Sequence, residues 1–489
     1  MNSLRHAAVL CAALSFFARI GPADENAVNP QIAKIAGEVS EDHIKATIEK
    51  LVSFGTRNTM SDATSAVRGV GAARQWILEQ FQSYSPKLQV RFDKYRVKKQ
   101  GQRIFKDVDL YNVVAVLPGK TLPDTQVWIT GHYDTLNLGT RPPAANSESR
   151  PAGSAGNENP LSTTQNMTPA EFEKNAELPA PGACDDGSGT AAVMELARVM
   201  SQFEFDKTLV FVAFAGEEQG LIGSSLEAGK AHKEKVDIEA VLNNDIIGTD
   251  TSGNGRFGNT EVSVYSDETM DSPSQQLSRY VREVGERYLP SMKVDTIFMG
   301  DRLGRGGDHT PFQWEGYAAV RLSTPNEIYA NQHHATDLLE NMSIPYTAKV
   351  ARVNGVVAAS LALSPKAPVV MRAPAPLRAG APAPAPGTPP RRPTPMISRG
   401  KSGYDALLQW KPAGPEASIQ GYTIVIRNTT SPYWEREIYV GKVTEYLMKD
   451  VSVDDVKFGV KAIGVNGGES LVSAYLYPAR AKTEIETIQ

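Results

Sequence analysis

The sequence predicts a three-layer α/β domain followed by a small β-sandwich. Two observations carry this. Between residues 110 and 363, near-continuous apolar strands alternate with amphipathic helices, the pattern of a sheet covered on both faces. After residue 396 the hydrophobic period falls to two, and short strands are divided by turn residues.

Taken in order, residues 1–23 read as a secretory signal. A short polar start with Arg5 and His6 is followed by AAVLCAALSFFA, and Gly21-Pro22-Ala23 supplies small residues for cleavage. Residues 40–82 read as helical, with Val70, Ala73, Trp76, Ile77 and Phe81 at helical spacing. LYNVVAVLPG, TQVWITG, TLVFVAFAG, AVLNNDIIG, EVSVYS and YAAVRLST are strand-like. GTAAVMELARVMSQF, LIGSSLEAGKAHK and SPSQQLSRYVREVGERY are the helices between them, and a helix over 343–363 closes a domain of residues 24–364. Residues 137–181, rich in Pro, Ser, Asn, Ala and Glu, form a long loop insertion expected at the mouth of a site. Residues 365–395 hold 11 of the 32 prolines and are expected to be an extended tether. LLQWKP, GYTIVIRN, EREIYVG and VKFGVKAIG then make a sandwich over 396–483.

Composition narrows the function classes. Of the 489 residues 41% are apolar and 22% charged, as in ordinary soluble domains. A formal net charge of −4 gives no electrostatic case for nucleic acid as a partner. The N-terminal apolar run stops at Arg19 and is too short to span a bilayer, so no membrane span is expected. Cys11 leaves with the signal and Cys184 stays as a single thiol, read as a packed side chain; no intramolecular disulfide follows. A disulfide-free exported chain fits a bacterial periplasm or culture medium.

The chemistry-bearing residues sit where strands end. Glu217-Glu218 follow an apolar strand, and like charges side by side are costly unless a cation or a proton uses them. His132 and Asp134 lie in WITGHYDT, Asp185 and Asp186 in GACDDGSGT, Asp245 in VLNNDIIG, and His333 and His334 in NQHHATD. Zinc takes imidazole nitrogen and carboxylate oxygen, and a carboxylate can bridge two ions. Five groups, His132, Asp185, Glu218, Asp245 and His333, with one bridging, give each of two zinc ions three protein contacts. Glu217 is left free as a general base toward water, and Asp134 is placed to hold the second nitrogen of His132. Spacing alone leaves open Asp185 against Asp186 and His333 against His334.

These motifs together resemble the co-catalytic two-zinc exopeptidases, peptidase family M28, which include secreted bacterial aminopeptidases. The resemblance covers about residues 105–345 through HxD at 132–134, DDGSG at 185–189, EExGxxGS at 217–224, NND at 243–245 and HxxxD at 333–337. It implies the zinc exopeptidase fold, with a mainly parallel mixed sheet between helices. It implies His132 and Asp245 on one zinc, Glu218 and His333 on the other, Asp185 bridging and Glu217 as catalytic base. The family register favours Asp185 over Asp186 and His333 over His334. GGDHTPF, with Asp308 and His309, resembles a further family motif that packs near the site without ligating. Gln332 departs from an aromatic that some relatives carry just before this histidine.

The implied activity is removal of N-terminal residues from peptide substrates. A carboxypeptidase or dipeptidase of the same fold is the nearest alternative, with Arg302 and Arg305 as carboxylate-binding candidates; a glutaminyl cyclase is another. Trp410, Tyr422 and Phe458–Ala462 resemble the fibronectin type III pattern. Lacking any His/Asp/Glu cluster, the sandwich is expected to bind a surface or polymer, or to act as a spacer whose loss spares hydrolysis of small substrates.

Overall fold

A computed structural model describes residues 28–139, 167–374 and 392–476. The expected signal segment, most of the 137–181 loop and the middle of the proline-rich stretch lie outside these residues. Nine α-helices are described: α1 (Pro30–Glu38), α2 (Glu41–Ser53), α3 (Gly69–Tyr84), α4 (Pro169–Asn175), α5 (Gly187–Met200), α6 (Ile222–Glu234), α7 (Pro273–Tyr288), α8 (His309–Trp314) and α9 (Ile344–Leu363). They flank eight strands, β1 (Gln89–Val97), β2 (Val108–Leu117), β3 (Leu122–His132), β4 (Lys207–Phe214), β5 (Asp237–Asn244), β6 (Glu261–Tyr265), β7 (Lys293–Ile297) and β8 (Ala319–Ser323). The strands form one sheet in the order β1-β2-β4-β3-β5-β8-β6-β7. Its centre, β4-β3-β5-β8, is parallel, and β2 and β6 flank it antiparallel. None of the described helices is long and apolar enough to cross a membrane.

The apolar runs have the expected cause. Along β4, Leu209, Phe211 and Ala213 enter the core under α1, α2, α3, α5, α7 and α9, while Val210, Val212 and Phe214 enter the one under α6 and α8. Both faces are buried, so both sets of alternate residues are apolar. The edge strands β1 and β7 escaped the sequence pattern because an edge is half exposed. QVRFDKYRV and KVDTI intersperse charge, which also discourages further strand pairing. The helical stretch expected over 40–82 is split at Gly55, whose φ of +75° ends α2. The chain then turns inward, where Thr56 bridges Ala180 and Arg57 becomes fully buried.

Residues 369–374 and 392–475 form a β-sandwich. Ile397–Ser398, Ala406–Gln409 and Glu445–Met448 make one sheet. Arg436–Gly441, Ile419–Asn428, Val456–Gly464 and Ser473–Ala474 make the other. Trp410 and Tyr422 meet edge to face between them, with ring centroids 5.4 Å apart. The described ends of the proline-rich stretch differ from the expected free tether. Met371–Arg372 pairs with Thr394–Pro395, and Val370 packs beside Met396 in the sandwich core. A sandwich face also closes on α7. Arg427 clamps Asp271 at 2.6 and 2.8 Å, Arg279 reaches the same carboxylate at 3.2 Å, and Lys461 meets Glu437, Glu469 and Glu283. Trp434 Nε1 donates to Gln276, and Asn466 donates to the carbonyl of Leu363 at the end of α9.

Candidate metal centre

The parallel strands deliver the site. β3 ends on His132, β5 ends one residue before Asp245, and β4 ends three residues before Glu217. Open sheets gather ligands at these carboxyl ends. Asp185 precedes α5, and His333 lies in the β8–α9 loop with φ of +59°, an uncommon backbone state for a non-glycine residue.

All the residues singled out as ligands converge. His132 Nε2 is 3.3 Å from Asp185 Oδ1 and 3.8 Å from Asp245 Oδ1. His333 Nε2 is 3.2 Å from both Asp185 Oδ2 and Glu218 Oε2. One Asp185 oxygen therefore faces each imidazole. The donor atoms form two groups, each with its members within 4.8 Å of one another: His132, Glu217 and Asp245, and Asp185, Glu218 and His333. His309 and His334 belong to neither group. His309 Nε2 instead donates to Gly300 O at 2.6 Å.

The neighbouring acids hold this geometry. Asp186 belongs to neither donor group. As N-cap of α5 it accepts from Gly189 N at 2.8 Å, and it also accepts from the amides of His132 and Ile246. A Cβ at Gly189 would run into that carboxylate and the carbonyl of Asn244, so the motif needs glycine there. Asp337 grips the other side of the pair, accepting from Cys184 N at 3.0 Å and Asp185 N at 2.9 Å.

Asp134 stands beside the second nitrogen of His132 and has further partners. The nearest acceptor to His132 Nδ1 is the backbone carbonyl of residue 134 at 3.1 Å, with the carboxylate at 3.6 Å. The carboxylate itself accepts from Thr59 Oγ1 and from the amides of Glu217 and Glu218 at 3.2 and 3.4 Å. It orients the glutamate loop as well as the imidazole.

Two buried arginines were not foreseen. Arg57 donates to the carbonyls of Leu51, Tyr133, Pro181 and Gly182, tying α2, the end of β3 and the loop before Asp185 together. Burial lowers its pKa to about 10, against the pull of Asp337 and Asp134. Arg321 stands 3.1 Å from Asp245 and 2.7 Å from Asp301. Arg57 gave no sequence signal, because its partners are carbonyls of distant loops. Arg321 gave one: a charge inside YAAVRLST is costly without a buried partner. Arg302 is paired, with Asp301 at 3.1 Å and Glu327 at 2.6 Å, and is not available to a substrate carboxylate.

The electrostatics are those of an anionic cage. Burial, then repulsion from Glu218 and Asp245, pushes the Glu217 carboxyl well above the usual carboxylate range. Burial disfavours charge on the imidazoles, but Glu217 and the aspartates outweigh it and hold His132 well above its ordinary value. Glu218 and Asp185 outweigh burial likewise and raise His333 to about 9. Glu218 Oε1 is buried without a hydrogen-bond partner. Clustered imidazole and carboxylate donors, with a carboxylate oxygen left unpaired, fit zinc. The donors line a cavity of about 310 Å³ together with Arg103, Leu221 and the 302–306 loop.

Comparison with known proteins agrees with this chemistry. The model of peptidase family M28 matches residues 112–358. A protein of Pyricularia oryzae described as a probable zinc metalloprotease is 35% identical over 470 residues, covering 89% of this chain and 82% of its own. One of the same description from Pyrenophora tritici-repentis is 31% identical over 472 residues, covering 89% of this chain and 95% of its own. Among solved structures, the Legionella pneumophila LapA aminopeptidase is similar in fold, with a TM-score of 0.50 at 19% identity over 73% of this chain and 80% of that one.

Proposed function

The chain belongs to peptidase family M28 and is a zinc metallopeptidase, and on that premise we propose that it is an aminopeptidase that uses two zinc ions to hydrolyse the N-terminal peptide bond. The observation that carries this reading is the Asp185 carboxylate, with its two oxygens 3.3 and 3.2 Å from His132 and His333. His132 and Asp245 would hold one ion, Glu218 and His333 the other, and Asp185 both. Zinc held there would supply Lewis acidity to the scissile carbonyl and the attacking water.

The chain's own groups do the rest. Glu217 accepts the proton of the attacking water and delivers it to the leaving amine, so that one water is consumed and one C–N bond is broken. Asp134 fixes the Glu217 and Glu218 amides, and Asp337 fixes the amide of Asp185. The two donor groups favour hydrolysis over a one-zinc cyclase.

The N-terminal pattern supports export to a bacterial periplasm or the medium, which N-terminal sequencing of the mature protein tests. The three-plus-four strand arrangement supports a fibronectin type III-like sandwich. A panel of aminoacyl-arylamides and their N-acetylated forms, assayed with and without a chelator, tests the activity. Free N-termini should be cleaved, the chelator should abolish cleavage and zinc should restore it. Equal cleavage of acetylated substrates, or release of pyroglutamate without peptide cleavage, would overturn the reading.

A further inference from the structure

Two guanidinium groups in the cavity are not used by the mechanism. Arg103, on the β1–β2 loop, donates from Nη1 to the carbonyl of Glu218 and lies 5.8 Å from the ring of Phe172. Arg305 donates from Nη1 to Gln332 Oε1 at 2.8 Å. Its nearest carboxylate partner, Glu327 at 3.9 Å, is already engaged at 2.6 Å by Arg302 and at 2.7 Å by Gln332 Nε2. An arginine carries five N–H donors in a fixed fork suited to a carboxylate. Among the described residues, each of these two makes a single hydrogen bond, to a neutral oxygen, while Arg302 beside them is matched by Asp301 and Glu327.

Gln332 has a part in this. It stands immediately before the ligand candidate His333 and joins Glu327 to Arg305, so the loop that positions the imidazole also aims a guanidinium into the same cavity. Once cations offset the acids of the cage, Arg103 and Arg305 are, among the described residues, the charged groups of the lining with no carboxylate within hydrogen-bond distance.

Resting on the aminopeptidase reading, we infer that Arg305, oriented by Gln332 and assisted by Arg103, is a carboxylate subsite, and that the substrate class is peptides bearing a negative charge next to the scissile bond. That charge has two possible sources, an acidic side chain or the free C-terminal carboxylate of a dipeptide.

The test uses the full-length zinc-loaded protein and two substrate pairs: glutamyl- against leucyl-arylamide, and leucyl-leucine against its C-terminal amide. The charged member of one pair should show a kcat/KM about 10–100-fold higher, as a charge-assisted hydrogen bond supplies, and the pair that responds identifies the source. Arg305→Gln should bring that ratio to about one, chiefly through KM, with the zinc content retained. Arg305→Lys should recover part of the ratio. Gln332→Leu, which removes the aiming contact and no charge, should lower it by an intermediate amount. The inference is overturned if neither pair shows a preference while neutral substrates are cleaved, or if Arg305→Gln lowers both members of a pair equally. If no peptide is cleaved by the zinc-loaded protein, the aminopeptidase reading itself fails and the inference falls with it.

Discussion

The molecule buries charge in two places, and they are built on opposite rules. In the seam between α7 and the sandwich, each acid faces a cation. Asp271 is held by Arg427 and Arg279, and Glu283 and Glu469 by Lys461 and Arg287. Around the donor atoms of the cleft, among the described residues, the acids outnumber the cations that meet them. Asp185, Glu217, Glu218, Asp245 and Asp308 share two imidazoles and Arg321. A matched cluster locks surfaces together, whereas an unmatched one is held in readiness for a cation that the fold does not itself supply. The difference separates a structural ionic site from a functional one.

The largest effect should come from the cleft. Glu217→Gln should lower kcat by about 10²–10⁴-fold, the range for loss of a general base, with zinc content unchanged. The same substitution should raise the melting temperature of the zinc-stripped protein, because it removes a repelled carboxylate. A stripped variant that melts lower than wild type would break the comparison.

The converse holds in the seam. Asp271→Ala leaves Arg427 and Arg279 buried without their counter-charge and should cost about 3–5 kcal/mol, read as a lower denaturation midpoint, while peptidase activity per folded molecule stays within about twofold. A midpoint that does not move would show the seam to be dispensable, as the sequence reading of the sandwich as a spacer expects.

Asp337→Asn should lower zinc affinity or activity by about 10–100-fold, the usual consequence of losing an outer partner of a ligand. Asn accepts with one oxygen where Asp337 uses two, for Cys184 N and Asp185 N. Equilibrium dialysis against a zinc buffer reads the change directly, and an unaltered affinity would show that the ligand loop holds itself.

The cleft, and Glu469 of the seam, should also respond oppositely to pH. In the zinc-stripped protein burial raises Glu217 well above 4.5 and Asp308 from 3.8 to about 7. The folded state keeps these protons where the unfolded chain has released them. The stability they contribute is therefore full at acid pH and lost as pH rises toward 7. Glu469 is lowered below 4.5, since Lys461 and Arg287 outweigh the cost of burial. Its contribution is present above 4.5 and lost as pH falls. Stripped protein should thus melt at a lower temperature at pH 7.5 than at pH 5, and zinc should abolish the difference. A flat profile without zinc would contradict the raised carboxyls.

Much of the site could be read from the chain. An acid or imidazole at the end of an apolar strand is a local pattern, and β3, β4 and β5 carry His132, Glu217-Glu218 and Asp245 to one edge as that pattern requires. The family register for Asp185 agrees with Asp186 being spent on backbone amides. What could not be read depends on partners far along the chain. Arg57 answers to four carbonyls spread over more than a hundred residues, and Asp337 to amides beside Asp185. The seam was hidden for the same reason. Asp271 and Arg427 look like ordinary surface charges until the sandwich brings them together, and proline content alone does not reveal that Val370 has a core to join.

The most direct test of the central claim is diffraction from zinc-loaded crystals collected at the zinc absorption edge. Two anomalous peaks on either side of the Asp185 carboxylate are expected, one near His132 and Asp245 and the other near His333 and Glu218. A single peak, or peaks away from Asp185, would contradict the account.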